Sequence, residues 1–299
     1  MFKSFKDAQA HHKALGISPG DPLSTSILDA RRHQDQYFES LKGQMPEVGQ
    51  VLNQCLDTCY GSMNIRLIYP KENGPFGYIV FVRGAGWWAG NLDSHMQTMT
   101  TLANATSMVV CGVDYYKAPE YHYPTQVNQV IEALDHLNRN QIDLGLNGKS
   151  FLFGESAGAT IALSVAQSLR DQDKPILAGL ILFYCNADGF KPKAREYSQW
   201  VWLQYMGVSQ PVIEHDAVPL QRPVDGLVPI WIGVGEDDAL IGDSLKLKNQ
   251  LTECGASPIY RVFPGLPHGF LMWTAVLEPA LDALGEACDV LKGWRDSIR

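Results

Sequence analysis

The sequence lacks any apolar run long enough to cross a bilayer. None of its hydrophobic stretches reaches the roughly 18 residues that a membrane-spanning helix requires. Residues 1–7 are polar and contain no apolar core of the signal-peptide kind. We therefore expect a cytoplasmic protein that has no membrane partner.

Basic charge is also in short supply. The 299 residues include 24 Lys and Arg against 32 Asp and Glu, which gives a formal net charge of −8, and no long run carries one sign. Nucleic acids and anionic membranes attract proteins through clustered positive charge. The charge balance therefore argues against nucleic acid as a partner.

Cysteine is sparse and scattered, at positions 55, 59, 111, 185, 254 and 288. Only Cys55 and Cys59 are close in the sequence, and a Cys-x3-Cys motif without a second pair nearby is a weak metal signature. Several of the others fall within apolar strand or helix patterns. We predict reduced thiols that serve mostly in packing, and we expect neither a metal nor a cofactor.

The overall composition is that of a folded globular protein, with 45% hydrophobic and 19% charged residues. The length suits one large α/β domain or two small ones. Because no internal repeat or low-complexity linker divides the chain, we predict one domain with a lid.

Apolar runs alternate with helical patterns from residue 78 onward. Continuous apolar runs, of the kind that buried parallel strands show, lie at 78–82, 108–113, 177–185 and 229–234. The alternation predicts an α/β fold with a mainly parallel sheet and helices on both faces. Short alternating stretches within 51–69 predict antiparallel strands at a sheet edge.

Two segments outside this alternation are predicted to form a cap. Residues 1–50 contain a helix whose start is marked by the serines and threonine at 24–26. Residues from about 186 to 226 interrupt the strand–helix order with an aromatic helical segment. We therefore divide the chain into an N-terminal helical cap segment at 1–50 and a main domain at 51–299 that carries a cap insertion at about 186–226.

The motif Gly-Glu-Ser-Ala-Gly at 154–158 lies between an apolar run and a helix rich in small residues. This is the pattern of a nucleophile elbow, a sharp strand-to-helix turn that exposes its serine. Backbone N–H groups at the start of the helix point toward developing negative charge. Chance Gly-x-Ser-x-Gly motifs are common in loops, but this position predicts that Ser156 is a nucleophile.

A nucleophilic serine needs a base, and the base needs an acid that orients it. Of eight histidines, only His268 lies just beyond a predicted core strand, on a loop rich in Gly and Pro. Asp237 and Asp238 follow the strand that ends at Gly235. The order Ser, Asp, His is typical of a nucleophile-elbow fold. The residues thus predict His268 as the base and one of the two aspartates as the acid.

An oxyanion site is the remaining requirement for acyl transfer. The segment Arg-Gly-Ala-Gly-Trp-Trp at 83–88 follows the strand at 78–82, where a glycine-rich turn can direct backbone N–H groups at an acyl oxygen. On its own such a segment is more simply a turn that ends a strand. Beside the elbow, it predicts oxyanion donors at Gly84, Ala85 and Ala157.

Taken together, these motifs resemble the hormone-sensitive-lipase-like group of α/β-hydrolases (bacterial family IV esterases), especially its acetyl esterases. The resemblance covers about residues 50–299. Four segments carry it: Arg-Gly-Ala-Gly-Trp at 83–87, Val-Asp-Tyr-Tyr-Lys-Ala-Pro-Glu at 113–120, Gly-Glu-Ser-Ala-Gly at 154–158, and Pro-His-Gly-Phe at 267–270. It implies an α/β-hydrolase fold with an eight-stranded, mostly parallel sheet and a helical cap. It also implies that Asp238, within Asp-Ala-Leu, is the catalytic acid.

The sequence departs from this group in the oxyanion segment, where Arg83 and Ala85 replace residues of the usual His-Gly-Gly-Gly. Backbone donors survive the change if the loop conformation does. A positive φ at Ala85 costs an L-residue roughly 1 kcal/mol or more. For Arg83 we expect first a bracing role and second recognition of a substrate anion. A third alternative is that the enzyme is partly disabled.

These features predict a carboxylesterase, a serine hydrolase that acts on esters of small to medium acyl chains. Its catalytic residues would be Ser156, Asp238 and His268. Direct substrate contacts are expected from Arg83, Trp87, Trp88 and Trp202. Two alternatives stay open: an amide or formamide hydrolase or biosynthetic deacetylase with the same triad, and a non-catalytic ligand-binding protein. Family members suggest a monomer or homodimer.

Overall fold

The computed structural model describes residues 1–174, 176–191, 195–212 and 214–297. In this part of the chain the strands form one eight-stranded sheet of order β1-β2-β4-β3-β5-β6-β7-β8. β1 and β2 are antiparallel to each other, and β2 is antiparallel to β4, whereas all the other pairs are parallel. The strands are β1 (Gln50–Thr58), β2 (Gly61–Tyr69), β3 (Phe76–Val82), β4 (Val109–Val113), β5 (Leu146–Glu155), β6 (Leu177–Phe183), β7 (Ile230–Gly235) and β8 (Ile259–Phe263).

Eight α-helices are found in the same described ranges. They are α1 (Phe5–Lys13), α2 (Ile27–Ser40), α3 (Met96–Thr106), α4 (Thr125–Arg139), α5 (Ala157–Asp171), α6 (Glu196–Met206), α7 (Ile241–Glu253) and α8 (Glu278–Ser297). Short 3-10 turns lie at Pro219–Gln221 and Phe270–Trp273. Within these ranges, no helix has both the length and the apolar character to traverse a bilayer.

The two faces of the sheet bury separate clusters of apolar side chains, as the continuous apolar run in β3 predicts. Alternate residues of a strand point to opposite faces. Tyr78 and Val80 accordingly join a cluster with α4, α5 and α7, while Ile79 and Phe81 join a cluster with α3 and α8. The predicted α/β fold with helices on both faces is confirmed.

The helix predicted after residues 24–26 is confirmed as α2. Its N-cap is Ser26, whose hydroxyl oxygen accepts a hydrogen bond from the Asp29 amide at 3.1 Å. The predicted aromatic segment between β6 and β7 is confirmed as α6.

All six cysteines are free thiols. Cys111, Cys185 and Cys288 are buried, and burial raises the pKa of the Cys111 and Cys288 thiols to about 12. These thiols are therefore protonated near neutral pH and behave as small apolar side chains. The other three, Cys55 among them, are exposed, so packing accounts for half of the set.

The start of α5 touches the end of β3 with no room for a side chain. A Cβ added at Gly158 would lie 2.0 Å from the Val82 carbonyl oxygen and 2.4 Å from that of Arg83. Backbone atoms at such a distance have to move if a methyl group is added. Gly158 is therefore required by the packing of the elbow.

We expect Gly158→Ala to lower the free energy of unfolding by about 2–3 kcal/mol, because it overpacks this contact. The matched control is Gly285→Ala in α8, where an added Cβ meets nothing within 4 Å. That change should be neutral or should stabilise by up to about 1 kcal/mol, since alanine favours a helix interior. Urea denaturation of both variants measures the difference. Equal stabilities would contradict the close approach.

Candidate active site

The strand-to-helix turn at Ser156 is backbone-strained. β5 ends at Glu155, α5 begins at Ala157, and Ser156 between them has φ 51° and ψ −121°. L-residues rarely adopt positive φ, and such strain clusters at functional sites. The Ser156 amide donates a hydrogen bond to the Phe183 carbonyl at 2.9 Å, which ties the turn to β6. The predicted elbow geometry is thus present.

Three side chains from three strand ends meet above this turn. The Ser156 hydroxyl donates to Nε2 of His268 at 2.8 Å, and Nδ1–H of His268 donates to Oδ2 of Asp238 at 2.9 Å. Asp238 is 3% exposed, and its Oδ1 also accepts from the Leu240 amide at 2.7 Å. Asp237 is exposed. The structure therefore brings Asp238, rather than Asp237, to the histidine.

The imidazole of His268 is held from two sides. Asp238 fixes Nδ1, and the ring of Tyr184 meets the imidazole edge-on with centroids 4.9 Å apart. The loop that carries His268 turns at Gly269, whose φ is 74°. Because this conformation favours glycine, Gly269 lets the chain turn into the following 3-10 segment.

The predicted oxyanion segment lies directly beside Ser156. A Cβ added at Gly84 would be 3.2 Å from the Ser156 Cβ. Of the three predicted donors, the Gly84 amide donates to Oε1 of Glu155 at 3.4 Å. Across the described ranges, the amides of Ala85 and Ala157 have no protein acceptor. Of the three predicted donors, these two are therefore available for a ligand oxygen.

Comparisons with known proteins agree with this architecture. A hyperthermophilic esterase from the archaeon Pyrobaculum calidifontis superposes with a TM-score of 0.90 at 22% identity, over 99% of each chain. An ester hydrolase from the metagenome of Lake Arreo, complexed with a bipyridine phosphonate derivative, gives 0.87 at 25% identity over 97% of each chain. A thermostable carboxylesterase cloned from a metagenomic library gives 0.84 at 22% identity, over 91% of this chain and 98% of that one.

A family model for the alpha/beta hydrolase fold matches residues 79–272, well over half of the chain. The chain belongs to the α/β-hydrolase family. This match confirms the family resemblance that the four sequence motifs predicted. The matched range includes the oxyanion segment, the elbow and both candidate partners of Ser156.

The predicted oxyanion segment at 83–88, called the oxyanion loop below, contains three consecutive residues with positive φ. The angles are 75° at Ala85, 61° at Gly86 and 64° at Trp87. Two of the three are L-residues, for which the left-handed region costs roughly 1–2 kcal/mol each. Ala85 therefore has the positive φ whose cost was anticipated from the sequence. Contacts with surrounding residues must hold this conformation.

Arg83 is one source of that restraint. Its guanidinium donates to the carbonyls of Ala89 at 2.9 Å and Tyr115 at 3.2 Å, and pairs with Asp114 at 3.3 Å. It also lies 4.0 Å from the centre of the Tyr115 ring. Since Arg83 is 1% exposed, no substrate anion reaches it in this conformation. The contacts support bracing and contradict direct substrate recognition.

The predicted substrate contacts of the three tryptophans are also wrong in this conformation. Trp87, Trp88 and Trp202 are at most 2% exposed. Trp87 stacks on Tyr205 with centroids 4.3 Å apart and also packs against Trp202. The indole of Trp88 donates to the hydroxyl of Tyr197 at 2.9 Å. Trp87 and Trp88 of the loop thus pack against aromatic residues of α6. Packing is the usual role of an aromatic helix.

Sequence reasoning missed a buried polar network centred on Glu155. This side chain accepts from Nε2–H of His95 at 2.7 Å, from the hydroxyl of Tyr184 and from the Gly84 amide. Burial disfavours the charged carboxylate, but the hydrogen bond and charge of His95, with the other two donors, hold its pKa below the usual range. The sequence does contain a signal for this network, which is a charged residue at the end of an apolar strand. A carboxylate buried there requires hydrogen-bond donors.

We expect Glu155→Ala to lower the free energy of unfolding by about 3 kcal/mol, because it leaves three buried donors without an acceptor. Glu155→Gln is the matched variant, since its amide oxygen still accepts from His95 and Gly84. The free energy of unfolding should decrease clearly less in Glu155→Gln than in Glu155→Ala. Denaturant unfolding of the two variants tests this, and equal losses would show that the donors do not depend on this acceptor.

Proposed function

We propose that the protein is a serine hydrolase that cleaves carboxylic esters of small to medium acyl chains. The observation that carries the proposal is the continuous hydrogen-bonded chain from Ser156 through His268 to Asp238. It lies at a strained elbow, beside the amides of Ala85 and Ala157, for which the described residues offer no acceptor. The esterase and carboxylesterase names of structurally similar proteins support ester bonds as the substrate class.

The proposed reaction begins with proton transfer from the Ser156 hydroxyl to Nε2 of His268. The serine oxygen attacks the ester carbonyl, and the carbonyl oxygen becomes an oxyanion that accepts from the amides of Ala85 and Ala157. Asp238 keeps Nδ1 protonated and stabilises the imidazolium. His268 next gives its proton to the leaving alkoxide, so that the alcohol departs and an acyl-enzyme remains.

Deacylation reverses the same proton movements. Water loses a proton to Nε2 of His268 and attacks the acyl carbonyl, and the second oxyanion uses the same two amides. Collapse of this intermediate breaks the bond to the Ser156 oxygen, which takes the proton back from His268. The products are the carboxylic acid and the free enzyme.

The preference for shorter acyl chains is supported by the packing behind the oxyanion loop. Trp87 of the loop contacts Trp202 and Tyr205 of α6, so packed rings fill the region behind the loop. The proposed cap, made of residues 1–50 and about 186–226, touches the same loop through α2 and α6. We further propose that the enzyme works in the cytoplasm, as a monomer or homodimer, without nucleic acid or membrane.

Hydrolysis of p-nitrophenyl esters from acetyl to decanoyl should fall with chain length. Ser156→Ala should lower kcat by at least about 10³-fold, because it removes the nucleophile. Matched N-acetyl and N-formyl amides in the same assay distinguish an amide or formamide hydrolase. Turnover of the amides alone would contradict the ester assignment, and no labelling of Ser156 by an organophosphonate would contradict nucleophilic catalysis.

The two adjacent aspartates provide a matched pair for the acid. Asp238→Ala should lower kcat by about 10³-fold or more, because His268 loses the group that orients it. Asp237→Ala should stay close to the wild-type rate, since Asp237 is exposed and, within the described part of the chain, its hydrogen bond runs from the backbone amide to the Leu266 carbonyl. Steady-state kinetics of both variants decides, and similar losses would contradict the assignment of Asp238.

A further inference from the structure

We infer that Arg31, on the N-terminal helix α2, is a positioning residue for the oxyanion loop. The inference rests on the proposed function, because it assigns this residue a part in the same reaction. The hydrogen bonds of Arg31 in the described ranges go to Trp88, Ala118 and Glu120 rather than to Ser156. Its effect passes through the loop backbone, and nothing in the four sequence motifs pointed to it.

The guanidinium of Arg31 makes four hydrogen bonds to segments beside the site. Its Nε donates to the Trp88 carbonyl at 2.7 Å, and Nη2 donates to the Ala118 carbonyl at 2.9 Å. Nη1 and Nη2 also form a bidentate pair with Glu120, at 2.7 and 2.6 Å. Because Arg31 joins two carbonyls and a carboxylate, it ties α2 to both the oxyanion loop and the segment after β4.

One peptide group relays this contact to Ala85. The carbonyl of Trp88 and the amide of Ala89 belong to the same planar unit. While the carbonyl accepts from Arg31, the amide donates to the Ala85 carbonyl at 3.2 Å. The orientation that Arg31 imposes on the peptide therefore sets the bond that closes the turn at Ala85.

The turn needs such a restraint because it stores strain. Ala85 and Trp87 both have positive φ, and an L-residue relaxes from that region when nothing holds it. Relaxation would rotate the peptide groups on either side of Ala85 and turn its amide away from the substrate oxygen. Arg83 restrains the loop from the interior, at the Ala89 carbonyl, and Arg31 restrains it from the cap.

A salt bridge alone would not explain the arrangement. The Glu120 side chain is 46% exposed, and ion pairs of this kind contribute little stability. The specific feature is the planar fork of arginine, which reaches two carbonyls and the carboxylate together. Lysine, with a single charged nitrogen, does not reproduce it.

The test compares Arg31→Met and Arg31→Lys with Arg32→Met. Arg32 is the next residue on α2 and is exposed, and among the described residues its ion pair is with Asp29 of its own helix. Arg31→Met should lower kcat for p-nitrophenyl acetate roughly tenfold or more, with a smaller change in KM, because a misplaced donor acts mainly in the transition state. The kcat of Arg31→Lys should lie between those of Arg31→Met and the wild type. The kcat of Arg32→Met should equal that of the wild type.

Glycine at position 85 supplies the readout that separates positioning from simple loss of stability. Glycine adopts positive φ readily, so Arg31→Met combined with Ala85→Gly should recover most of the lost kcat. A purely structural role of Arg31 would leave kcat of the folded fraction unchanged and would show no rescue. If Arg31→Met lowers kcat by the same factor whether residue 85 is alanine or glycine, the inference is overturned.

Hydrogen exchange at the Ala89 amide keeps the inference separate from the proposed function. Exchange should be faster in Arg31→Met than in the wild type, whether or not the enzyme hydrolyses esters. Unchanged exchange overturns the positioning role of Arg31. If exchange accelerates while the wild type turns over no ester and resists organophosphonate labelling, the positioning of the loop is supported and the proposed function fails.

Discussion

The site depends on the contact between the end of β3 and the start of α5. At Gly158 the helix backbone approaches the Val82 carbonyl so closely that an added Cβ would lie 2.0 Å away. This contact fixes where the chain leaves β3 and where α5 begins. As a result Gly84 lies beside Ser156, and the loop after β3 lies next to the start of α5. An oxyanion site built from two distant segments requires such a fixed junction.

Strain and buried polar contacts lie together around this junction. Ser156, Ala85 and Trp87 all have positive φ, so the site holds several backbone conformations that an isolated chain would leave. Glu155 lies under them and accepts hydrogen bonds from His95, Tyr184 and Gly84. Tyr184 also packs against His268. One buried carboxylate thus connects the turn at Ser156 to the loop after β3 by hydrogen bonds, and it reaches His268 through the ring contact of Tyr184.

The sequence alone predicts those features of the fold and the candidate site that depend on local residue patterns. Apolar runs identified the central strands, and the order of Ser156, Asp238 and His268 followed strand ends that the fold brings together. The residues alone did not separate Asp237 from Asp238, because neighbours in a loop carry the same local pattern. The burial of Trp88 and the contacts of Arg31 were also inaccessible, since their partners are distant in the chain and their geometry follows from packing.

Alanine at position 85, in place of the glycine of the usual His-Gly-Gly-Gly motif, makes the loop depend on restraint by its neighbours. Glycine reaches positive φ freely, but it also leaves the loop free to adopt other conformations. Alanine reaches positive φ only with strain, so the loop keeps this conformation because Arg83 and Arg31 hold it. A loop fixed before the substrate arrives presents its donors without reorganisation, which is the condition for strong oxyanion stabilisation. The arginine at position 83 and the alanine at position 85 are therefore consistent with each other: the first supplies the restraint that the second requires.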